Sequence, residues 1–120
     1  MIYEEKTIET IPVGPLGLIP LKSCSELGAK VNDWLVEWRK GRESEHKSTI
    51  AFAGYQRDSY IIEAGTPRFG SGEGKGTINA SVRGDDLYIM VDVCNYSLTY
   101  SLCGMTNHMS PDDHFQDLKR

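Results

Sequence analysis

The run Leu87-Tyr88-Ile89-Met90-Val91-Asp92-Val93-Cys94 constrains this chain more than any other stretch. Asp92 is its only charge, and the run is far shorter than the roughly 18 apolar residues of a membrane span. Such a segment suits a strand buried on both faces of a parallel sheet, and it predicts the centre of an α/β fold. The rest of the sequence alternates in a way that fits. Residues 16–21 (LGLIPL) form a short apolar run weakened by Gly17 and Pro20. Ser23-Cys24-Ser25-Glu26 has the spacing of a capping box and predicts a helix start. Leu27, Val31, Trp34, Leu35 and Trp38 then recur at helical spacing, with Lys40 near the end and Gly41 as C-cap, so both tryptophans are predicted in the core. The charged stretch 41–48 (GRESEHKS) reads as a solvated loop. Residues 49–53 (TIAFA), 59–63 (SYIIE) and 76–82 (GTINASV) read as strands.

Between the last two lies RFGSGEGKGT, residues 68–77, with glycine at four alternate positions. A Walker loop places a glycine five residues ahead of its Gly-Lys pair and a Ser or Thr after the lysine. Here those places hold Phe69 and Gly76. The dinucleotide pattern G-x-G-x-x-G fails as well, because Lys75, Thr77 or Asn79 falls where the last glycine is needed. The stretch therefore reads as a hairpin tip rather than a phosphate cradle.

Composition narrows the function classes. A chain of 120 residues with 39% hydrophobic and 25% charged residues suits one domain. Its formal charge of −4 supplies no basic field for a nucleic acid backbone. The N-terminal MIYEEKTIET is acidic where a secretory signal would be basic and then apolar, so no membrane association and a cytoplasmic location are expected. Cys24, Cys94 and Cys103 show no C-x-x-C spacing and are expected as buried thiols. Residues 107–114 (NHMSPDDH) gather two imidazoles and two carboxylates, a candidate metal cluster. The same residues read more simply as a helix start, with Ser110 as N-cap, Pro111 in the first turn and the acids at the positive end of the dipole. That helix carries only Phe115 and Leu118 as large apolar residues before position 120. A crossover begins without reaching a further strand, which is the expectation for a fragment of something longer.

The pattern R-F-x-x-G-E-(x)7-S-V-R-G-x-D-L-Y-I, residues 68–89, resembles the N-terminal half of ribose-phosphate pyrophosphokinase. The stretch LIPLKSCSELGAKVNDWLVEWR, the tail from Val91 and the hydrophilic insert between helix and strands are similar to a longer form of that enzyme found in some anaerobic bacteria. The resemblance covers residues 16–120 and leaves 1–15 as an N-terminal extension. It implies the N-terminal half-domain of a phosphoribosyltransferase-like fold, a parallel sheet flanked by helices with a protruding β-hairpin.

In that family the hairpin reaches into a neighbouring subunit and contacts the adenine of ATP at positions that fall on Phe69, Ser71 and Glu73. Alternate residues of a strand point the same way, Phe can stack on a purine and Glu can accept from its amino group. Ser71 departs from the family's Asp or Asn and has less reach. The regulatory phosphate or ADP site would use Ser81 and Arg83; an ion pair of Arg83 with Asp85 or Asp86 is the plainer role for that side chain. The resemblance further implies Mg and ATP as cofactors, ribose 5-phosphate as the second substrate, and homo-oligomers, dimeric and hexameric. The family's catalytic groups lie beyond where residue 120 aligns, so no catalytic or metal residue is expected here and the chain alone should be inactive. A catalytically silent regulatory or assembly partner of the synthetase is the alternative.

Overall fold

The computed structural model describes residues 14–44 and 57–120. In chain order the elements are β1 (Leu16–Pro20), a 3-10 turn (Lys22–Cys24), α1 (Ser25–Ser44), β2 (Ala64–Gly65), β3 (Thr77–Ile78), β4 (Asp86–Met90), β5 (Thr99–Leu102), β6 (Met105–His108) and α2 (Pro111–Lys119). The predicted strand at 49–53 and the second half of the predicted loop at 41–48 lie outside the described residues, as does most of the N-terminal extension.

β1 and β4 run parallel, with Leu16 opposite Asp86 and Pro20 opposite Met90. The other edge of β1 takes the extended segment 60–62. Leu18 N–H donates to Tyr60 O at 2.7 Å and Ile62 N–H to Leu18 O at 2.8 Å, around a parallel bridge between Leu18 and Ile61. The chain is thus α/β, with a small parallel sheet ordered 60–62, β1, β4 and with α1 between the first two in sequence. β1, rather than the run 87–94, is the centre. Both of its edges have partners, Leu16 and Leu18 cluster with Tyr60, which is only 1% exposed, and Ile19 is buried as well.

The run at 87–94 falls short of its prediction for a local reason. The last rung beyond β4 is Leu21 N–H to Met90 O at 2.9 Å. From Asp92 onward, side chains capture the backbone: Asp92 Oδ1 accepts from Cys94 N at 3.0 Å and Asn95 Oδ1 from Ser97 N at 3.1 Å. Such turns offer the backbone an alternative to the ladder and end the strand. Tyr88 and Ile89 are exposed, so β4 is not buried on both faces.

α1 also departs from the sequence reading. The helix begins at Ser25 after the 3-10 turn, and Ser23 is not its cap. The Ser23 hydroxyl instead accepts from Asp92 N at 3.0 Å, and its carbonyl from Asn95 Nδ2 at 3.2 Å, which ties the turn to the loop after β4. The helix runs through Gly41 to Ser44, whose hydroxyl donates to Gly41 O at 2.8 Å.

The face that α1 buries is Gly28, Asn32 and Arg39, with Val31, Leu35 and Val36 packed on the core beside them. Of the predicted ridge, Val31 and Leu35 reach the core and Leu27 does not. Trp34 and Trp38 are 55% and 58% exposed, contrary to the expectation that they fill the core. Small and polar residues face the sheet because the helix lies close to it: a Cβ on Gly28 would strike the ring of Pro20. Asn32 reaches across to accept from Tyr60 N at 2.7 Å.

Candidate functional site

The glycine-rich stretch is a hairpin, as expected, but its paired strands are Ala64–Gly65 and Thr77–Ile78 rather than 59–63 and 76–82. Its base is the antiparallel pair β2 and β3, with Ala64 opposite Ile78 and Gly65 opposite Thr77. The predicted strand 76–82 contributes only Thr77–Ile78. Further out, Lys75 N–H donates to Pro67 O at 2.9 Å, and Arg68 bridges to Gly74. The tip is closed by Phe69 N–H to Glu73 O and Gly72 N–H to Phe69 O, both at 2.8 Å. Gly72 sits at φ 87°, a left-handed conformation that glycine adopts without steric cost.

This geometry changes how Phe69, Ser71 and Glu73 relate. They do not alternate along a strand; the chain reverses between the first and the last of them. Phe69 presents its ring to solvent at 53% exposure. Ser71 Oγ faces back towards Glu73 N at 3.5 Å. The Glu73 carboxylate forms an ion pair with Arg120. Ser81 and Arg83 are exposed in the loop between β3 and β4, outside the hairpin, where Asp85 N–H donates to Val82 O at 3.0 Å. The five predicted residues therefore form two separate groups in the chain, one at the tip and one past the base.

One set of residues at the hairpin was not anticipated. Arg68 lies over the ring of Tyr100 in β5, 4.1 Å from its centroid. Its guanidinium donates to Gly72 O at 3.1 Å and sits 3.6 Å from the Asp117 carboxylate of α2. Burial pushes the Asp117 carboxyl above the ordinary aspartate range, against the opposing pull of Arg68 and His114. Arg68 thereby holds the tip, β5 and α2 together, a role that no local spacing signals.

A second feature follows from topology. From β1 the chain crosses to 60–62 on one side and later returns as β4 on the other, so the strand order reverses between β1 and β4. Ligands of open parallel sheets bind outside the carboxyl ends of strands at such a switch point. A cleft of about 690 Å³ opens there, between the residues that follow β1 and those that follow β4. Its polar lining includes Lys22, Ser25, Glu26, Asp92 and Asn95, which offer both donors and acceptors to a small polar ligand.

The candidate metal cluster at 107–114 resolves into structural contacts. Ser110 and Asp113 make the reciprocal capping box of α2, with Asp113 N–H to Ser110 Oγ at 3.1 Å and Ser110 N–H to Asp113 Oδ2 at 2.9 Å. Pro111 opens the helix, as the sequence reading holds. His108 stacks on Tyr96 with 4.4 Å between centroids, and its Nδ1 lies 2.9 Å from Tyr96 O. His114 is buried, with Nε2 2.6 Å from Asn95 O. Among the described residues no three His, Cys, Asp or Glu side chains converge as metal ligands. Of the thiols only Cys24 is buried; Cys94 and Cys103 are exposed, which corrects the expectation for those two. Burial, and after it the Asp92 charge, raises the Cys24 pKa and disfavours its thiolate.

Comparison with protein-family models, with characterised proteins and with solved structures finds no match to this chain. Among the described residues no helix is long and apolar enough to cross a membrane. What the site offers is thus read from its chemistry alone. Phe69 presents an exposed aromatic face.

Proposed function

We propose that the chain is the N-terminal portion of a ribose-phosphate pyrophosphokinase, which transfers diphosphate from Mg-ATP to ribose 5-phosphate. Its contribution is an adenine-contacting hairpin and a surface for assembly. One observation carries this reading. The segment R-F-x-x-G-E forms a closed turn that displays Phe69 to solvent, which supports a contact made to a neighbouring subunit's nucleotide. The hairpin alone binds weakly, because ordering a glycine-flanked tip costs roughly 1–2 kcal/mol per residue, which adenine stacking scarcely offsets. Glu73 must also exchange Arg120 for the adenine amino group.

Photolabelling with an azido-adenine nucleotide at millimolar concentration tests the reading. Label is expected on the peptide containing Phe69, competed equally by ATP and AMP, indifferent to magnesium and absent in Phe69→Ala. Absence of label at the tip, or label that persists in Phe69→Ala, overturns it. A second reading, a catalytically silent assembly partner of the synthetase, draws support from the exposed tryptophan ridge of α1. It predicts that the label appears only when the chain is mixed with an active synthetase.

A further inference from the structure

α1 carries two residue lines with the same spacing: Gly28, Asn32, Leu35 and Arg39 face the core, and Val31 of the other line packs against it as well. The other consists of Leu27, Val31, Trp34 and Trp38, of which Leu27, Trp34 and Trp38 are each more than half exposed. Steps of four, three and four residues make the d-a-d-a seam of a coiled coil. Val31, Trp34, Leu35 and Trp38 enclose an open, almost wholly apolar depression of about 380 Å³. Four residues at this spacing are the hole that receives a knob from a facing helix. The tryptophan rings, 6.1 Å apart and tilted by 44°, form its wall.

We propose that this ridge is a homodimer interface in which α1 packs antiparallel against α1 of a second copy. The occupant follows from the symmetry of the sequence about a point between residues 32 and 33. Around a two-fold axis there, Leu27 falls opposite Trp38 of the partner subunit and Val31 opposite Trp34 of the partner subunit. Small meets large in every layer. The flanking charges agree: Lys30 and Glu37 occupy the same edge of the seam, so the antiparallel pairing sets Lys30 near Glu37 of the partner subunit, twice by symmetry. A parallel pairing would instead put the Lys30 and Glu37 edges of the two copies on opposite sides of the seam, where neither ion pair can form. Both side chains are exposed, and neither takes part in an ion pair among the described residues. This inference stands whether or not the chain reads a nucleotide.

The contact is one helix long, about 30 Å for the 20 residues of α1, and falls in the range of small, reversible interfaces. The protein's only two tryptophans both lie in the seam and report on it directly. Sedimentation equilibrium of the full chain should show a monomer passing to a dimer as concentration rises through the micromolar range. Tryptophan emission should shift to the blue over the same range. Trp34→Glu should remain monomeric with unchanged helical circular dichroism. Lys30→Glu should weaken the dimer by roughly tenfold, and the double change Lys30→Glu with Glu37→Lys should restore it. A wild type that stays monomeric overturns the proposal, as does blue-shifted emission at every concentration, which would mean that the chain's own residues cover the ridge. Failure of the charge exchange to restore association overturns the antiparallel arrangement. Should Trp34→Glu lose its helical signal, the charge series decides alone.

Discussion

Asn32 joins α1 to the sheet through one buried hydrogen bond, to the amide of Tyr60. Tyr60 is the most deeply buried large side chain described, and its amide is shut away from water with it. Asn32→Leu adds apolar volume but leaves that N–H without its acceptor, a loss of about 1–3 kcal/mol. Urea denaturation of dilute protein checks this against Trp38→Ala, where an exposed position should cost less than about 0.5 kcal/mol in the monomer. Should the tryptophan change prove the costlier, the wrong face of α1 has been assigned to the sheet. Nothing in the sequence marks Asn32 for this role. A polar residue at its place in the helical wheel reads as solvated until Tyr60, 28 positions away, is brought beneath it.

Helices and hairpins show the same division between local and distant causes. α2 begins where its capping residues say, because the Ser110 and Asp113 bonds close within three residues of each other. α1 begins at Ser25 without the Ser23 cap of its capping-box pattern, because Ser23 is taken by Asp92 and Asn95 from across the sheet. The close approach of α1 to β1 is set at Gly28, where an added methyl would meet the Cβ and Cγ of Pro20. Gly28→Ala gains up to about 1 kcal/mol of helix propensity, while overpacking against a rigid ring costs roughly 1–3 kcal/mol. A net loss of about 1 kcal/mol is expected in thermal or chemical denaturation. The same change at Gly41, which has nothing within 4 Å of its added Cβ, should stabilise. If Gly28→Ala also stabilises, the helix does not lie as close to the strand as described.

At the scale of the whole molecule, Arg68 and Asp117 decide how the hairpin sits on the C-terminal elements. Because burial raises the folded-state pKa of Asp117 above its unfolded value, the native state holds that proton more tightly. The stabilisation this supplies is fully present below the ordinary aspartate pKa of about 3.9 and is lost as pH rises through the higher folded value. The melting temperature of the wild type relative to Asp117→Asn should therefore fall as pH rises from about 4 towards neutrality, and then level off. A difference that grows with pH across that window would mean that the pairing with Arg68 outweighs burial and that the sign assigned here is wrong.

Local chemistry was legible in the sequence. The alternation of strand and helix, the hairpin at the glycine-rich stretch and the capped start of α2 all rest on contacts within a few residues, and the structure contains each of them. Both phosphate-loop spacings fail there in the sequence itself, before any folding. What the tertiary structure decided is which surfaces meet. The lines 27-31-34-38 and 28-32-35-39 have identical helical spacing, so periodicity alone cannot choose between them; hydrophobicity placed Val31 and Leu35 rightly against the core and misplaced Leu27 and the two tryptophans. The sheet chose the second, because Gly28 admits Pro20 and Asn32 satisfies Tyr60. For the same reason β1 displaced the run 87–94 from the centre: a strand's place in a sheet depends on partners at both edges, and side chains at Asp92 and Asn95 turned that run away.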